Sequence, residues 1–422
     1  MYFSAKEIRL DFIYTIGIHL TGIGLKCAAF FNEKIKLGVE GRSESFSILE
    51  GQIHAQDKVF WFHCASLGEY EQGLPVFKIL RERYKNHKIV LTFFSPSGYS
   101  IRKNAPIADV VVYLPLDTPK NAKKFLDIVN PELTIFVKYD IWPNFLGELK
   151  QRKLKSILIS AAFRENQSYF KSHGSVLRKA LFAFDHIFTQ NEVSKDLLQS
   201  IGYHNVTMSG DTRFDRVYSQ LAQDNKLEFI ETFKNNKLCV VAGSTWPEDD
   251  ELLINFINSD TSKGLKFIIA PHNIKPSQIQ KIKDRLSAKT VLFSNMSGNT
   301  LMDAKLFILD TIGLLSKVYS YADIAYVGGA MGTTGLHNTL EPAVFGVPLI
   351  IGNNHEKFPE AMAMITLGGM FAVSNQEEFN TVLINLITNI EERTISGKRN
   401  LDYINNNKGA VNQIMNYLNL HN

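Results

Sequence analysis

The chain has 422 residues, too many for one ordinary hydrophobic core, so two domains are expected. Its 45% hydrophobic and 21% charged content is that of a globular protein, and a net charge of +4 without a dense Lys/Arg tract argues against nucleic acid as a partner. Three widely spaced cysteines, Cys27, Cys64 and Cys239, with no CxxC, give neither a disulfide framework nor a zinc site and fit a reducing compartment.

Residues 1–35 form the first predicted element. Phe12 to Leu25 are fourteen consecutive uncharged residues, mostly apolar, flanked by Lys6, Arg9, Lys26, Lys34 and Lys36. A full membrane crossing takes roughly 20 apolar residues, so the run is short for a span. It lacks a small-residue cleavage site of the kind that marks a removed signal peptide. The favoured reading is an interfacial helix lying in the membrane surface. A helix packed on its own domain and a single span stand beside it.

Residues 36–220 then alternate strands with helical stretches. Apolar, β-branched and aromatic runs at Val59–His63, Ile89–Phe94, Val110–Leu114, Leu133–Val137, Ser156–Ser160, His186–Thr189 and Val206–Ser209 read as strands. Such alternation predicts an α/β, doubly wound parallel sheet, whose strand C-terminal ends line the ligand crevice. Those ends carry Glu69, Ser95, Ser97, Lys138, Asp140, Arg164, Asn191, Glu192 and Asp211. A charged stretch, Gln220 to Lys237, marks the connection, placed near Arg216–Asn236. Residues 221–422 repeat the pattern, with strands at 238–242, 267–270, 291–293, 306–309, 324–327 and 349–351. Glu377 to Leu420 reads as helical and polar, with a last helix that can cross back onto the first domain.

The stretch Tyr326 to Gly352 organises the second half. A strand stops at Gly328-Gly329, a loop with four glycines runs to Gly335, and His337-Asn338-Thr339 opens a short apolar-periodic segment. Glycine lets backbone N–H groups approach a ligand. Asn338 with Glu341 three residues on reads as a capping box, and a helix N-terminus behind a glycine loop suits a phosphate. Ser244, Thr245, His272 and Arg213 are candidates to reach the same anion, and Glu341 a candidate for ribose hydroxyls. Ser244 and Thr245 can equally cap the helix that starts near Pro247. Neither GxGxxG with a following acid, nor GxxxxGK[ST], nor HExxH occurs. No cofactor or metal is therefore expected. In the first half Glu69 is either a crevice carboxylate fit for general base work or a first-turn helix acid. Asp140 has the same ambiguity, and Lys138 is a phosphate contact or a solvated charge.

Several motifs, taken together, resemble the 3-deoxy-D-manno-octulosonic acid (Kdo) transferase family. They are Ser66-Leu67-Gly68-Glu69, Ser95-Pro96-Ser97-Gly98, Tyr113 to Asp117, Trp142-Pro143-Asn144, Gln190-Asn191-Glu192, Gly210 to Asp215, and Gly328-Gly329 with His337 to Ala343. The resemblance spans nearly the whole chain. It implies a GT-B glycosyltransferase with two Rossmann-like domains facing across a cleft, the first binding the acceptor and the second a CMP-sugar. The implied donor is CMP-Kdo and the acceptor a tetraacylated lipid A precursor like lipid IVA. The reaction belongs to lipopolysaccharide core biosynthesis in a Gram-negative cell, at the cytoplasmic face of the inner membrane, without a metal. Glu69 matches the family's catalytic carboxylate. Ser66, Gly68, Ser95, Ser97, Lys138 and Asp140 fall on the acceptor side. Arg213, Ser244, Thr245, His272, Gly328, Gly329, His337, Asn338, Thr339 and Glu341 fall on the donor side. Lys138 and Asp140 stand where many members carry two glutamates, and Ser160-Ala161-Ala162 stands in place of an asparagine–alanine–arginine run. The alternative is another GT-B enzyme that uses a UDP-sugar, a transferase or an epimerase.

Overall fold

The computed structural model describes residues 5–296 and 301–420. Residues 1–4 of the predicted N-terminal element, and the side chains of Lys6 and Arg9, lie outside the described set. Contacts divide the chain into two units, Met1–Arg216 with Lys408–Asn422, and Val217–Asn407.

The first unit is built on a parallel sheet of β1 (Val59–Cys64), β2 (Lys88–Phe93), β3 (Val110–Tyr113), β4 (Leu133–Val137), β5 (Ser156–Ala161), β6 (His186–Thr189) and β7 (Val206–Met208). Its spatial order is β3-β2-β1-β4-β5-β6-β7. The strands are continuous apolar runs because helices cover both faces. Alternation sends Trp61, Val90, Val112, Phe136 and Leu158 into one core and Phe62, Leu91, Phe93, Ile135 and Ile159 into the other. The last helix, Ala410–Leu420, belongs to this unit and adds Ile414, Met415 and Leu418 to the second core. Asp215 fixes its start by accepting from the N–H of Gly409 at 2.9 Å.

Two helices precede the sheet, α1 (Ala5–Ala29) and α2 (Glu33–Gln52). One side of α1 docks on the unit. The Tyr14 hydroxyl donates to Asp117 Oδ2 at 2.8 Å, and a Cβ on buried Gly22 would lie 2.8 Å from Leu116. The other side is uncovered and apolar. Phe12, Ile13, Ile16, Leu20 and Ile23 are each between 42% and 65% exposed. At about 100° per residue these five fall within one arc of roughly 100°. Phe30 and Phe31, at the corner into α2, are almost fully exposed. The N-terminal segment is thus a packed helix on one face and an apolar stripe on the other.

The second unit carries β8 (Cys239–Thr245), β9 (Lys266–Pro271), β10 (Thr290–Leu292), β11 (Leu306–Ile308), β12 (Ile324–Val327), β13 (Leu349–Gly352) and β14 (Met370–Val373). They form a second parallel sheet in the order β10-β11-β9-β8-β12-β13-β14. β14 was not among the expected strands. Its four residues between Gly369 and Ser374 are too few to show a period, and pairing with β13 makes it a strand. The stretch read as a connector contains the helix Glu228–Lys234, whose Ile230 and Phe233 are buried.

Candidate active site

A doubly wound sheet opens its ligand crevice where the strand order reverses. In the first sheet that point lies between β1 and β4. β1 runs through Ala65 into Ser66, the extended N-cap of α3 (Leu67–Arg83). Glu69 sits in the first turn of α3, and its carboxylate accepts from the Ser66 hydroxyl. Lys138 follows β4 with φ 73°, a left-handed conformation uncommon for a side-chain-bearing residue, and its Nζ stands 4.0 Å from Glu69 Oε1. Glu69 is a first-turn acid, and it stands at the switch point beside a cation.

Asp140, two residues on, accepts from His63 Nε2 at 2.5 Å and from Trp142 Nε1 at 2.9 Å, both on Oδ2. Beyond β2, Ser95 caps α4 (Pro96–Arg102) by accepting from the Ser97 N–H, and the two hydroxyls lie 3.0 Å apart. A Cβ on Gly68 would meet only Ser66 Oγ, at 3.7 Å, so its small size is not forced by packing. Arg213 also belongs to this unit. Its Nε donates to Asp211 at 2.8 Å, and the neighbouring Thr212 hydroxyl donates to the Gln72 carbonyl of α3. Asp117 explains the Trp-Pro-Asn motif. Buried, it accepts from the N–H groups of Asn144 and Phe145, each at 3.0 Å, and so caps the helix Pro143–Gln151.

In the second sheet the switch point lies between β8 and β12. Ser244, at the end of β8, is again left-handed, with φ 55°. Gly328 and Gly329 end β12 hard against it. A Cβ on Gly328 would lie 2.5 Å from the Ser244 carbonyl, and Gly329 has φ 98° with Gly335 O 2.1 Å from any Cβ. The N–H groups of these two glycines are not open to a ligand. Gly328 donates to Gly243 and Gly329 to Asp249. The glycines contribute room. The expected donors from this pair are committed to the fold.

Asp249 is the hub. It is fully buried and accepts from Gly329 N–H at 2.8 Å, Trp246 N–H at 2.8 Å and Tyr326 hydroxyl at 2.7 Å. Burial pushes its carboxyl up from the ordinary value, and these three donors oppose that shift. Around the hub stand three rings. Trp246 stacks on His272 with centroids 4.6 Å apart, and His272 lies 4.5 Å from His337. Trp246 Nε1 donates to His337 Nε2 at 3.0 Å, which places the proton of neutral His337 on Nδ1. Burial, and then the neighbouring His272, lower His337 to about 4. Thr245 is buried, and its carbonyl accepts from the His272 N–H.

The predicted capping box does not form. The helix Leu340–Ala343 is a single turn, and its N-cap is Thr339, without a side-chain cap bond. Asn338 instead accepts from the Leu340 N–H and donates to Glu341 Oε1, while Ser316 donates to Glu341 Oε2. Asn338 and Thr339 can both cap, and the loop geometry selects the second. A one-turn helix also gives little of the dipole expected for holding a phosphate. Among the described residues no group of three His, Cys, Asp or Glu is placed to hold a metal ion.

Residues 40–216 match the family profile described as 3-deoxy-D-manno-octulosonic-acid transferase (kdotransferase). The 3-deoxy-D-manno-octulosonic acid transferase of Aquifex aeolicus is 30% identical over 346 residues, covering 80% of this chain and 88% of that protein. The chain belongs to the Kdo transferase family. The Haemophilus influenzae Kdo transferase is 26% identical over 85% of this chain and 86% of its own. Members are glycosyltransferases, so this Kdo transferase is an enzyme of lipopolysaccharide biosynthesis. Its two parallel sheets are those of the GT-B fold. A UDP-GlcNAc 2-epimerase from Neisseria meningitidis, solved bound to UDP-GlcNAc, shares that fold with a TM-score of 0.60 at 15% identity, covering 87% of this chain and all of that one.

Sequence reasoning picked out Glu69, Lys138, Asp140, Ser244, Thr245 and His337, which stand beside their own unit's switch point, and His272, which follows β9 and stacks on Trp246. It passed over His63, Trp246 and Asp249. A histidine inside the apolar run Val59–Cys64 and four acids in a row after Pro247 were the available signals.

Proposed function

We propose that this Kdo transferase moves Kdo from CMP-Kdo to a lipid A precursor resembling lipid IVA, at the cytoplasmic face of the inner membrane and without a metal ion. The observation that carries this reading is Glu69, seated in the first turn of α3, held by Ser66 and beside Lys138. Glu69 takes the proton of the acceptor hydroxyl as that oxygen attacks the anomeric carbon of Kdo. The new C–O bond forms as the bond from that carbon to the CMP phosphate breaks, through an oxocarbenium-like transition state. CMP leaves with the bonding pair. Lys138 offers a cation to an acceptor phosphate, and Ser95, Ser97 and Asp140 offer polar contacts on the acceptor side. On the donor side, His337 Nδ1–H, His272, Ser244 and Thr245 meet the nucleotide phosphate, and the Trp246 ring borders the group. A neutral imidazole donor works across the physiological pH range, which suits His337.

The exposed apolar stripe of α1 supports docking on a bilayer surface. A helix packed on one side and apolar on the other buries its outer face in the headgroup region, rather than leaving the protein to cross the membrane. Anchoring there brings a lipid acceptor to the first unit.

The test is transfer from CMP-Kdo to a lipid A precursor in detergent, with CMP release and lipid mass followed together, with and without EDTA. A mass gain of one or more Kdo units with matching CMP, unchanged by EDTA, is expected. CMP release without a lipid product overturns the acceptor. Turnover of a UDP-sugar with none of CMP-Kdo overturns the donor.

A further inference from the structure

His63 is the last but one residue of β1 and is fully buried beneath the first switch point. The proposed reaction gives it no task, yet it is the centre of a directional chain. Trp61 Nε1–H donates to Thr92 Oγ1 at 2.8 Å. Thr92 Oγ1 lies 2.8 Å from His63 Nδ1 and 3.4 Å from the Phe62 carbonyl. The shorter contact takes the hydroxyl proton, so Nδ1 accepts and Nε2 carries the ring proton. Nε2–H then points at Asp140 Oδ2, 2.5 Å away. Trp142 Nε1 lies 3.1 Å from His63 Nε2 and 2.9 Å from Asp140 Oδ2; a protonated Nε2 cannot accept, so the indole N–H donates to the carboxylate oxygen. Both donors converge on one carboxylate oxygen. Among the described residues Oδ1 receives no hydrogen bond, and the Asp140 side chain keeps 21% of its surface exposed.

We propose that His63 is a positioning residue for Kdo transfer: through its Nε2–H, and with Trp142, it locks the Asp140 carboxylate so that Oδ1 is presented as a fixed acceptor for a hydroxyl of the acceptor sugar. This rests on the acceptor side assigned to the first unit. A carboxylate on a loop after a strand would otherwise rotate and lose its aim. Two donors on one oxygen remove that freedom before substrate arrives, which is the form of preorganisation that makes a single hydrogen bond effective in orienting a nucleophile.

The experiment is steady-state transfer by the full chain in detergent, with His63→Ala, His63→Gln, Asp140→Asn and the double variant His63→Ala/Asp140→Asn. A glutamine amide can still donate to Asp140. His63→Ala is expected to lower kcat/KM for the lipid acceptor about tenfold or more, with KM for CMP-Kdo unchanged and His63→Gln restoring most of the loss. In the Asp140→Asn background His63→Ala is expected to add less than about twofold, because the pair acts as one unit. Thr92→Val, which removes the hydroxyl that sets the tautomer, is expected to give a smaller loss of the same kind and serves if His63→Ala does not fold. The proposal is overturned by additive effects in the cycle, by an equal rise in KM for CMP-Kdo, or by unchanged kinetics of the folded variants. Wild-type turnover in the same assay separates the two ideas. A wild type that transfers Kdo beside an unaffected His63→Ala overturns the positioning role and leaves the proposed reaction standing.

Discussion

The two sheets share a plan and diverge in chemistry. Each is parallel, each reverses direction beside its first strand, and each carries a non-glycine left-handed residue there, Lys138 in one and Ser244 in the other. The first switch point gathers charge: Glu69 with Lys138, and Asp140 with His63. The second gathers neutral rings and glycines around the buried carboxylate of Asp249, whose oxygens are taken up by the fold. Charged side chains that keep an open face can exchange protons and grip polar substrate groups. A neutral, tightly packed corner can hold a nucleotide in place without competing in that exchange. The proposed function makes the first the reacting half and the second the holding half, and that division can be tested residue by residue.

The largest expected effect follows from removing the proposed base. Glu69→Gln keeps the shape and the Ser66 contact but cannot take a proton. Turnover is expected to fall about 10²- to 10⁴-fold while CMP affinity, measured by calorimetry, stays within about threefold. Near-normal turnover would break the comparison at its first term. The mirror experiment is Gly329→Ala in the second unit. The new Cβ would lie 2.1 Å from the Gly335 carbonyl at a φ of 98°, so backbone must move. The expected cost is roughly 2 kcal/mol of stability, seen as a lower Tm. KM for CMP-Kdo should rise more than KM for the lipid. An equal rise in both would show that the holding role is not confined to this unit.

Much of the fold was legible in the sequence, and the illegible part has a common cause. All seven strands of the first sheet could be read as apolar runs that stop at a polar residue or proline soon after, as at Ser95, Pro115, Lys138 and Gln190. Glu69, Lys138 and His337 were visible because each follows a strand or a glycine loop at short range. What escaped was long-range pairing. His63 meets Asp140 across 77 residues, and Asp249 meets Gly329 across 80. No local pattern encodes which polar side chain will share a buried corner with another. The failed capping box at Asn338 is the opposite case. The local signal was strong, but Asn338 turned to Leu340 and Glu341, and Ser316, from another segment, claimed the other oxygen of Glu341.

The proposed membrane contact sharpens the contrast, because the apolar stripe belongs to the first unit. Cys27 lies on the exposed face of α1, while Cys64 and Cys239 are buried. A polarity-sensitive dye on the single accessible thiol should shift to shorter wavelength when vesicles are added. Replacing Ile16 and Leu20 together by serine should weaken vesicle binding roughly tenfold or more, since each loses an apolar side chain of the stripe. Activity on a detergent-solubilised acceptor should change little. A dye that reports water in the presence of vesicles would remove the interfacial reading.

The smallest expected effect is a pH dependence of the second unit. His337 is held neutral in the fold down to about 4, by burial and by His272 beside it, whereas an unfolded histidine takes its proton near 6.5. Between those values the unfolded chain binds the extra proton and the folded chain does not. Stability therefore falls as pH drops from about 6.5 toward 4 and levels off below, the direction set by the greater proton uptake of the unfolded state. The full shift would amount to about 3 kcal/mol, and solvent screening of a half-buried ring reduces it to roughly 1–2 kcal/mol. His337→Gln keeps a hydrogen-bonding side chain and removes the titration. Its Tm, measured from pH 7 to pH 4.5, should fall less steeply than that of the wild type. The Glu69→Gln variant, altered only in the first unit, should keep the wild-type contribution of His337 to that slope. Parallel curves for wild type and His337→Gln would mean that this imidazole is not held neutral by its surroundings, and the second switch point would lose the neutral ring that sets it apart from the first.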